Sequence, residues 1–197
     1  MRFADPISYD LWYETKGKEI FLKELSVLKK VIKGFDKGLE VGVGTGRFAS
    51  SLGVEFGLDP DENMVRFASK RGILGVVGIG EALPFKSSSF DLILLVFTLC
   101  FAEKPPLIIK ECNRCLKSGG ELVIGFIPRE SSKAGEYIDL AKKGHPIYSK
   151  ARFYGVDEVS KLVVDGGFRI EARKGIFLGK EKGPYPDFLV WKCAKNS

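Results

Sequence analysis

Leu39-Glu40-Val41-Gly42-Val43-Gly44-Thr45-Gly46 runs into a short helical pattern, and Asp59 closes the next apolar run at residues 54–58. No other stretch of the chain restricts its fold as tightly. An apolar strand enters a glycine turn, a helix follows, and an acid waits at the end of the second strand. Glycines let a backbone turn sharply and approach a ligand with no Cβ in the way. An acid at that place can accept both hydroxyl hydrogens of a ribose. A dinucleotide fingerprint needs Gly-x-Gly-x-x-Gly, its third glycine easing helix packing near a pyrophosphate. Here that position is Arg47, and the third glycine comes one residue early, at Gly46. Glu40, just before the turn, would repel a pyrophosphate but not an ammonium or a sulfonium.

The 197 residues suffice for one domain with its own core. An apolar fraction of 45% and a charged fraction of 28% are those of a globular protein. The longest apolar stretch, residues 92–101, falls short of the ~20 residues of a membrane span and suits a buried strand. Met1-Arg2-Phe3-Ala4-Asp5-Pro6 lacks the apolar centre of a signal peptide, so a cytoplasmic location is the default expectation. Cys112 and Cys115 form a C-x-x-C inside a helical pattern. A zinc site would need two further ligands, and the chain has one histidine, His145. Core packing of at least one of the two thiols is therefore expected, with a redox pair as the alternative, and no metal site.

The net charge of +6 raises the question of nucleic acid. Lysines such as Lys16, Lys33, Lys86, Lys142 and Lys174 are scattered among acids, with no concentrated basic tract. Glutamine is absent and asparagine occurs only at Asn63, Asn113 and Asn196. That bias resembles thermophile usage, in which charges replace thermolabile amides. A charged, solvated surface is the simpler reading.

Apolar residues at Ile20, Phe21, Leu25, Leu28 and Ile32 predict one helix over residues 7–33, ended by Gly34. Strands are expected at 39–43, 54–58, 74–79, 90–98 and 121–127. Helices lie between them, at 46–52, from 60 to about 71, and from 105 to about 117. Asp59 and Pro60 read as the cap and first residue of the second of these helices, and Ser118-Gly119-Gly120 as a left-handed helix end. Helices at 131–143 and 156–165 precede strands at 168–177 and 187–195. The link over residues 179–186 is too short for a crossover helix, so this last pair should be antiparallel. The alternation predicts a doubly wound α/β fold. Its sheet is seven-stranded and mostly parallel, with helices on both faces and an antiparallel C-terminal pair. Ligands of such sheets bind at the carboxyl ends of the strands, where strand order reverses. Glu40 to Gly46, Asp59, residues 79–82 and residues 96–101 then border one crevice.

These motifs, in this order, resemble the Rossmann-like (class I) S-adenosylmethionine-dependent methyltransferases, in particular the members that act on small molecules. The resemblance covers roughly residues 9–194. It is carried by the glycine turn, by Asp59 and Met64, by Glu81-Ala82-Leu83-Pro84-Phe85, by Ser89-Phe90-Asp91, and by Leu116-Lys117-Ser118-Gly119-Gly120. Tyr9-Asp10 with Trp12-Tyr13 resembles an opening segment that folds over the cofactor in the family. The resemblance implies S-adenosylmethionine as cofactor. It would be held by Tyr9, Trp12, Glu40, Gly42, Gly44, Thr45, Gly46, Asp59, Met64, Gly80, Glu81, Ala82, Val96 and Phe97. The chain departs from the family at Ile79, where an acidic or polar residue usually meets the adenine, and at Cys100-Phe101, where a histidine or other polar residue is common.

The function implied is methyl transfer to N, O or another nucleophile of a small molecule, with Tyr13, Cys100, Phe101 and His145 on the acceptor side. Tyr9, Trp12, Tyr13, Phe97 and Phe101 could hold a cationic amine by cation–π attraction, or simply fill a core. Positioning alone can drive this displacement, so no catalytic residue is singled out. His145 is the first candidate base and an exposed loop residue the plain alternative; Tyr9, Tyr13 and Tyr148 are further candidates. The rival functions are an RNA methyltransferase, a non-catalytic S-adenosylmethionine-binding protein and, more remotely, a nicotinamide-dependent oxidoreductase. The chain is read as one domain. Residues 1–34 form a helical lid, 35–128 the cofactor-binding core, 129–155 a substrate-side insert, and 156–197 the C-terminal helix and strand pair. Neither the acceptor nor the oligomeric state is legible.

Overall fold

The computed structural model describes residues 5–179 and 183–196. Two of the expectations above therefore fall partly outside it, the reading of residues 1–4 and the middle of the 179–186 link. The elements run α1 (Pro6–Glu14), α2 (Lys18–Val31), β1 (Gly38–Val41), α3 (Arg47–Leu52), β2 (Phe56–Asp59), α4 (Glu62–Lys70), β3 (Leu74–Val77) and β4 (Phe90–Val96). They continue with α5 (Pro105–Cys115), β5 (Leu116–Phe126), α6 (Ser132–Lys142), α7 (Val156–Asp165), β6 (Phe168–Ile176) and β7 (Phe188–Lys195). The seven strands form one sheet in the order β3-β2-β1-β4-β5-β7-β6. Pairing is parallel from β3 through β5, while β7 runs antiparallel to both β5 and β6. The expected doubly wound sheet with its antiparallel pair is present. Strand order reverses between β1 and β4, as the crevice requires.

Side-chain alternation sends the strands' apolar residues to two cores. Leu39, Val41, Ile93, Leu95, Leu122, Ile124 and Trp191 meet Ile108, Ile109 and Cys112 of α5 and Val159 and Val163 of α7 on one face. Leu92, Leu94, Val96, Val123, Phe188 and Val190 meet Phe21, Leu25 and Leu28 of α2 and Phe48 and Ala49 of α3 on the other. Helices cover both faces, which is why β4 is apolar at nearly every position. Cys112 and Cys115 are both free and buried in the first core. No described helix is long and apolar enough to cross a membrane.

Three local expectations need correction. The helix expected over residues 7–33 is broken into α1 and α2 at Thr15–Gly17. The Gly17 N–H donates to the Trp12 carbonyl at 2.7 Å, and the Trp12 ring occupies the space where a Cβ on residue 17 would sit. Asp61, not Asp59, caps α4, accepting from the Asn63 N–H at 2.9 Å. Asp59 is thereby free for the glycine turn. The Ser118-Gly119-Gly120 run does not end a helix. The chain passes from Cys115 directly into β5 at an extended Leu116, and Gly119, with φ 75°, lies where β5 bulges against β4.

Gly46 and Gly53 bracket α3, both left-handed at φ 81° and 74°. A Cβ on Gly53 would meet open space, whereas one on Gly46 would lie 3.0 Å from the Ala68 Cα and Cβ. Gly53→Ala should cost about 1–2 kcal/mol, the left-handed strain alone. Gly46→Ala should cost more, because α4 must also shift. Urea denaturation of the two variants measures both values, and equal costs would show that Gly46 is not packed as described.

Candidate functional site

The turn after β1 is held from below by β2. The N–H groups of Gly42 and Val43 both donate to the Leu58 carbonyl, at 2.7 and 3.0 Å. The Gly44 N–H donates to Asp59 Oδ2 at 2.9 Å, and the Asp61 N–H to Asp59 Oδ1 at 2.9 Å. Burial raises the Asp59 carboxyl, and these two donors pull it partly back. An ionised carboxylate offers about four lone-pair sites, so two remain open. Above the turn, Thr98 donates its hydroxyl to the Val41 carbonyl at 2.6 Å, tying the ends of β1 and β4 together. Phe97 takes a left-handed φ of 58°, a strain that non-glycine residues carry mostly at working sites.

Glu40 is 2% exposed. Burial pushes its carboxyl up to about 8; the Ala49 N–H in the first turn of α3 works against this, and nearby Asp59 adds to it. Its Oε2 is buried with no hydrogen-bond partner among the described residues. Buried polar atoms are rarely left so, and an orphaned acid oxygen beside a glycine turn suits a cationic ligand.

Arg47, the residue that broke the dinucleotide spacing, clamps α1 onto the turn. Its guanidinium donates to Asp10 Oδ1 at 2.7 Å and Oδ2 at 2.6 Å, and to Glu14 Oε1 at 2.8 Å. Arg71 adds a bond to Asp10 Oδ2 at 2.7 Å and another to the Thr45 carbonyl at 3.0 Å. Burial alone would raise the Asp10 carboxyl, but the two arginines outweigh it and hold the group down at about 2. The clamp lays Tyr9 over the turn, its ring edge 3.9 Å from where a Cβ on Gly44 would be.

Behind Tyr9 lies a cavity of about 500 Å³. Tyr9, Trp12 and Tyr13 of α1 wall one side, Phe97, Cys100 and Phe101 after β4 form another, and Tyr137, His145, Tyr148 and Phe153 close it. Every expected acceptor-side residue, Tyr13, Cys100, Phe101 and His145, is on its lining. His145 is half-buried rather than exposed, stacked on Tyr148 at 4.5 Å, which in turn stacks on Tyr137 at 4.0 Å. Its Nδ1 accepts long bonds from the Ile147 and Tyr148 N–H groups, at 3.3 and 3.5 Å. That leaves the hydrogen of a neutral ring on Nε2, where it can donate a hydrogen bond, with Nδ1 already engaged. Cys100 donates its thiol to the Phe97 carbonyl at 3.1 Å, and burial pushes it up to about 12, so it is an apolar wall rather than a nucleophile.

The remaining expected cofactor residues lie at the strand ends, outside this lining. Met64 is buried on α4 and Val96 ends β4. A Cβ on Gly80 would touch Val41 and Ile108 at 3.0 and 3.1 Å. Glu81 Oε1 accepts from the Lys104 N–H at 3.2 Å, so its nearest described work is at the start of α5, while Ala82 and Ile79 are exposed. Glu24, Tyr137, Phe153, Thr98 and Arg71 were not foreseen. Glu24 alone left a signal: it interrupts the apolar stripe Phe21, Leu25, Leu28 of an amphipathic helix, where an acid has no reason to be unless it is used.

A family model described as a methyltransferase domain matches residues 39–124. A solved structure from Thermotoga maritima, described as an S-adenosylmethionine-dependent methyltransferase and possible histamine N-methyltransferase, is 34% identical. It aligns over 96% of this chain and 95% of its own, with a TM-score of 0.87. An uncharacterised protein of Methanocaldococcus jannaschii is 40% identical over 86% of this chain and 82% of its own length. One from Mycobacterium tuberculosis is 46% identical, and this chain spans 60% of its length.

The buried acids fix how stability responds to pH. Glu40 and Glu24 are both raised to about 8 by burial, and Asp59 is raised as well. A carboxyl raised in the folded state contributes most below its unfolded value near 4.5 and loses that contribution as pH climbs through its folded value. The melting temperature of the ligand-free protein should therefore fall between pH 5 and pH 8. Glu40→Gln should flatten the fall. A profile that rises over this window would show that these acids are ionised and compensated.

Proposed function

The chain belongs to the Rossmann-like S-adenosylmethionine-dependent methyltransferases and its cofactor is S-adenosylmethionine; from that premise we propose that it methylates N, O or another nucleophile of a small molecule. The observation that carries the reading is the aromatic-lined cavity of about 500 Å³ that shares Tyr9 with the glycine turn. That is the size of a small-molecule site, with mostly apolar walls and few polar groups. An RNA acceptor calls for an open basic groove, and no lysine or arginine is among the described residues that line this cavity.

The residues around the turn fit the cofactor. Asp59 keeps two lone-pair sites for the ribose hydroxyls after serving Gly44 and Asp61. The orphaned Oε2 of Glu40 suits the ammonium of the methionine end. Gly44 leaves the turn open to close approach beneath Tyr9, while Gly42 and Gly46 let the turn pack on Thr98 and Ala68; with Thr45, and with Trp12 beside Tyr9, they would cradle the methionine end. Met64, Gly80, Glu81, Ala82, Val96 and Phe97 border the base and the thioether end; with Ile79 pointing an apolar side chain outward, backbone groups would recognise the adenine. When bound, the cofactor supplies a methyl carbon made electrophilic by its sulfonium.

The chain's own share of the work is placement. Tyr9 stands between the two halves of the site: burial raises its hydroxyl to about 12, and Glu24 on one side and Glu40 and Asp59 on the other add to the shift. It stays a neutral hydroxyl, hydrogen-bonded to the Tyr13 hydroxyl at 3.0 Å. The aromatic walls exclude water and hold the acceptor close, and such positioning is worth up to ~7–11 kcal/mol in ideal cases. In this reading the lid, core, insert and C-terminal segments act as one domain.

Asp59→Ala would strip the acceptor from two backbone N–H groups, so Asp59→Asn is the cleaner test. Losing a hydrogen bond to a charged group costs about 1.5–3 kcal/mol. Calorimetry should therefore show S-adenosylmethionine bound about 10- to 100-fold more weakly by Asp59→Asn than by the parent, with an unchanged circular dichroism spectrum. Equal affinity would remove the ribose assignment. Binding of NAD in place of S-adenosylmethionine would remove the methyltransferase reading.

A further inference from the structure

Among the described residues, Glu24 is the one charged side chain in the wall of the cavity that is itself buried, at 4% exposure. It projects from α2, the helix that otherwise supplies Phe21, Leu25 and Leu28 to the core. No described residue donates a hydrogen bond to it. Lys133 of α6 is the cation whose charge reaches it, yet the Lys133 ammonium pairs with Glu136 at 2.7 Å and lies over the Tyr137 ring. The other groups whose charge states are coupled to Glu24 are the hydroxyls of Tyr9 and Tyr13 on α1, of Tyr137 on α6, and of Tyr148. A carboxyl so placed is costly to ionise unless a cation joins it.

We propose that the cavity binds a small cationic amine, with its ammonium against the Glu24 carboxylate and its apolar body against the aromatic walls. The proposal deepens the small-molecule methyltransferase reading and rests on it.

Two independent features of the cavity agree on the charge. The chain carries a net charge of +6, yet the cavity's described charged lining residues are Glu24 and, at the rim, Asp5. No lysine or arginine is among the described residues of this wall. The wall is also built of rings, among them Tyr9 and Trp12, and aromatic rings attract a desolvated cation. An anionic ligand would meet a buried acid and ring faces of the wrong polarity. A neutral one could share a hydrogen bond with the protonated acid but would not stabilise its ionised form.

Burial raises Glu24 to about 8 in the empty cavity, with Lys133 lowering it somewhat. At pH 7 it is therefore mostly protonated, and a bound ammonium stabilises the ionised form. Amine binding should release protons to the buffer, which an uncharged ligand of the same shape should not do.

The test uses the full chain saturated with S-adenosylhomocysteine, whose own binding is measured first. 2-Phenylethylamine, 2-phenylethanol and phenylacetate are then titrated calorimetrically in two buffers of different ionisation enthalpy. The amine should bind at least 10-fold more tightly than the alcohol, with a buffer-dependent heat that reports proton release, and the acid should not bind. Glu24→Gln should lower amine affinity at least 10-fold, abolish proton release, and keep S-adenosylhomocysteine affinity within twofold. If S-adenosylhomocysteine binds but amine and alcohol bind alike, the amine proposal falls and the methyltransferase reading stands. If S-adenosylhomocysteine does not bind, both fall. The comparison of the three ligands on the parent protein decides the matter even if Glu24→Gln does not fold.

Discussion

The Gly44 N–H donating to Asp59 is the contact on which the site hangs. It fixes the turn after β1 against the end of β2, and with Leu58 accepting from Gly42 and Val43 it leaves the chain only one direction in which to start α3. Because the third glycine comes at position 46, Arg47 becomes the first residue of α3 and faces α1 instead of packing on a phosphate. Asp10 answers it, Arg71 reinforces it from beyond α4, and α1 is drawn across the turn. A charge network this compact and half-buried is worth more than scattered surface pairs, which contribute little each. The consequence for function is a roof: Tyr9 and Trp12 close one side of the cavity because Arg47 holds their helix there.

Buried negative charge is the second organising constraint. Glu40, Asp59 and Glu24 are all nearly inaccessible in a chain with an excess of lysine and arginine. Each is raised by desolvation; one oxygen of Glu40 has no partner, and no hydrogen bond reaches Glu24, among the described residues. Asp59 differs because two backbone N–H groups already serve it, which suits a neutral ribose. Glu40 lies just before the glycine turn and Glu24 lines the cavity, and both act on the Tyr9 hydroxyl. Packing forces would favour replacing such groups with apolar ones.

Much of this was legible in the residues. The Gly42-x-Gly44-x-Gly46 turn, the acid at position 59 and the strand–helix alternation determined a doubly wound sheet, because tight turns, two-sided burial and short connections admit few other arrangements. The final antiparallel pair followed from a link too short to cross over. Local rules failed where tertiary contacts outbid them. A continuous apolar stripe predicted one opening helix, but the Trp12 ring seated on Gly17 breaks it. Asp59 had the sequence of a helix cap, but the glycine turn claimed its carboxylate and Asp61 took over the cap. Gly119 and Gly120 looked like a helix end and instead absorb a bulge in β5.

The sequence by itself determined the succession of strands and helices, the antiparallel final pair and the glycine turn with its following acid, since all of these follow from periodicity and spacing along the chain. Only the tertiary structure decided what stands opposite. Glu24, Tyr137 and Phe153 come from separate parts of the chain and carry no motif, and they share a wall because the fold brings α2, α6 and the segment after it to one cavity beside the residues that follow β4 and β5. No local pattern encodes that meeting. It is a product of burial, which brings distant side chains into one cavity and, by removing water, gives a single acid there its meaning.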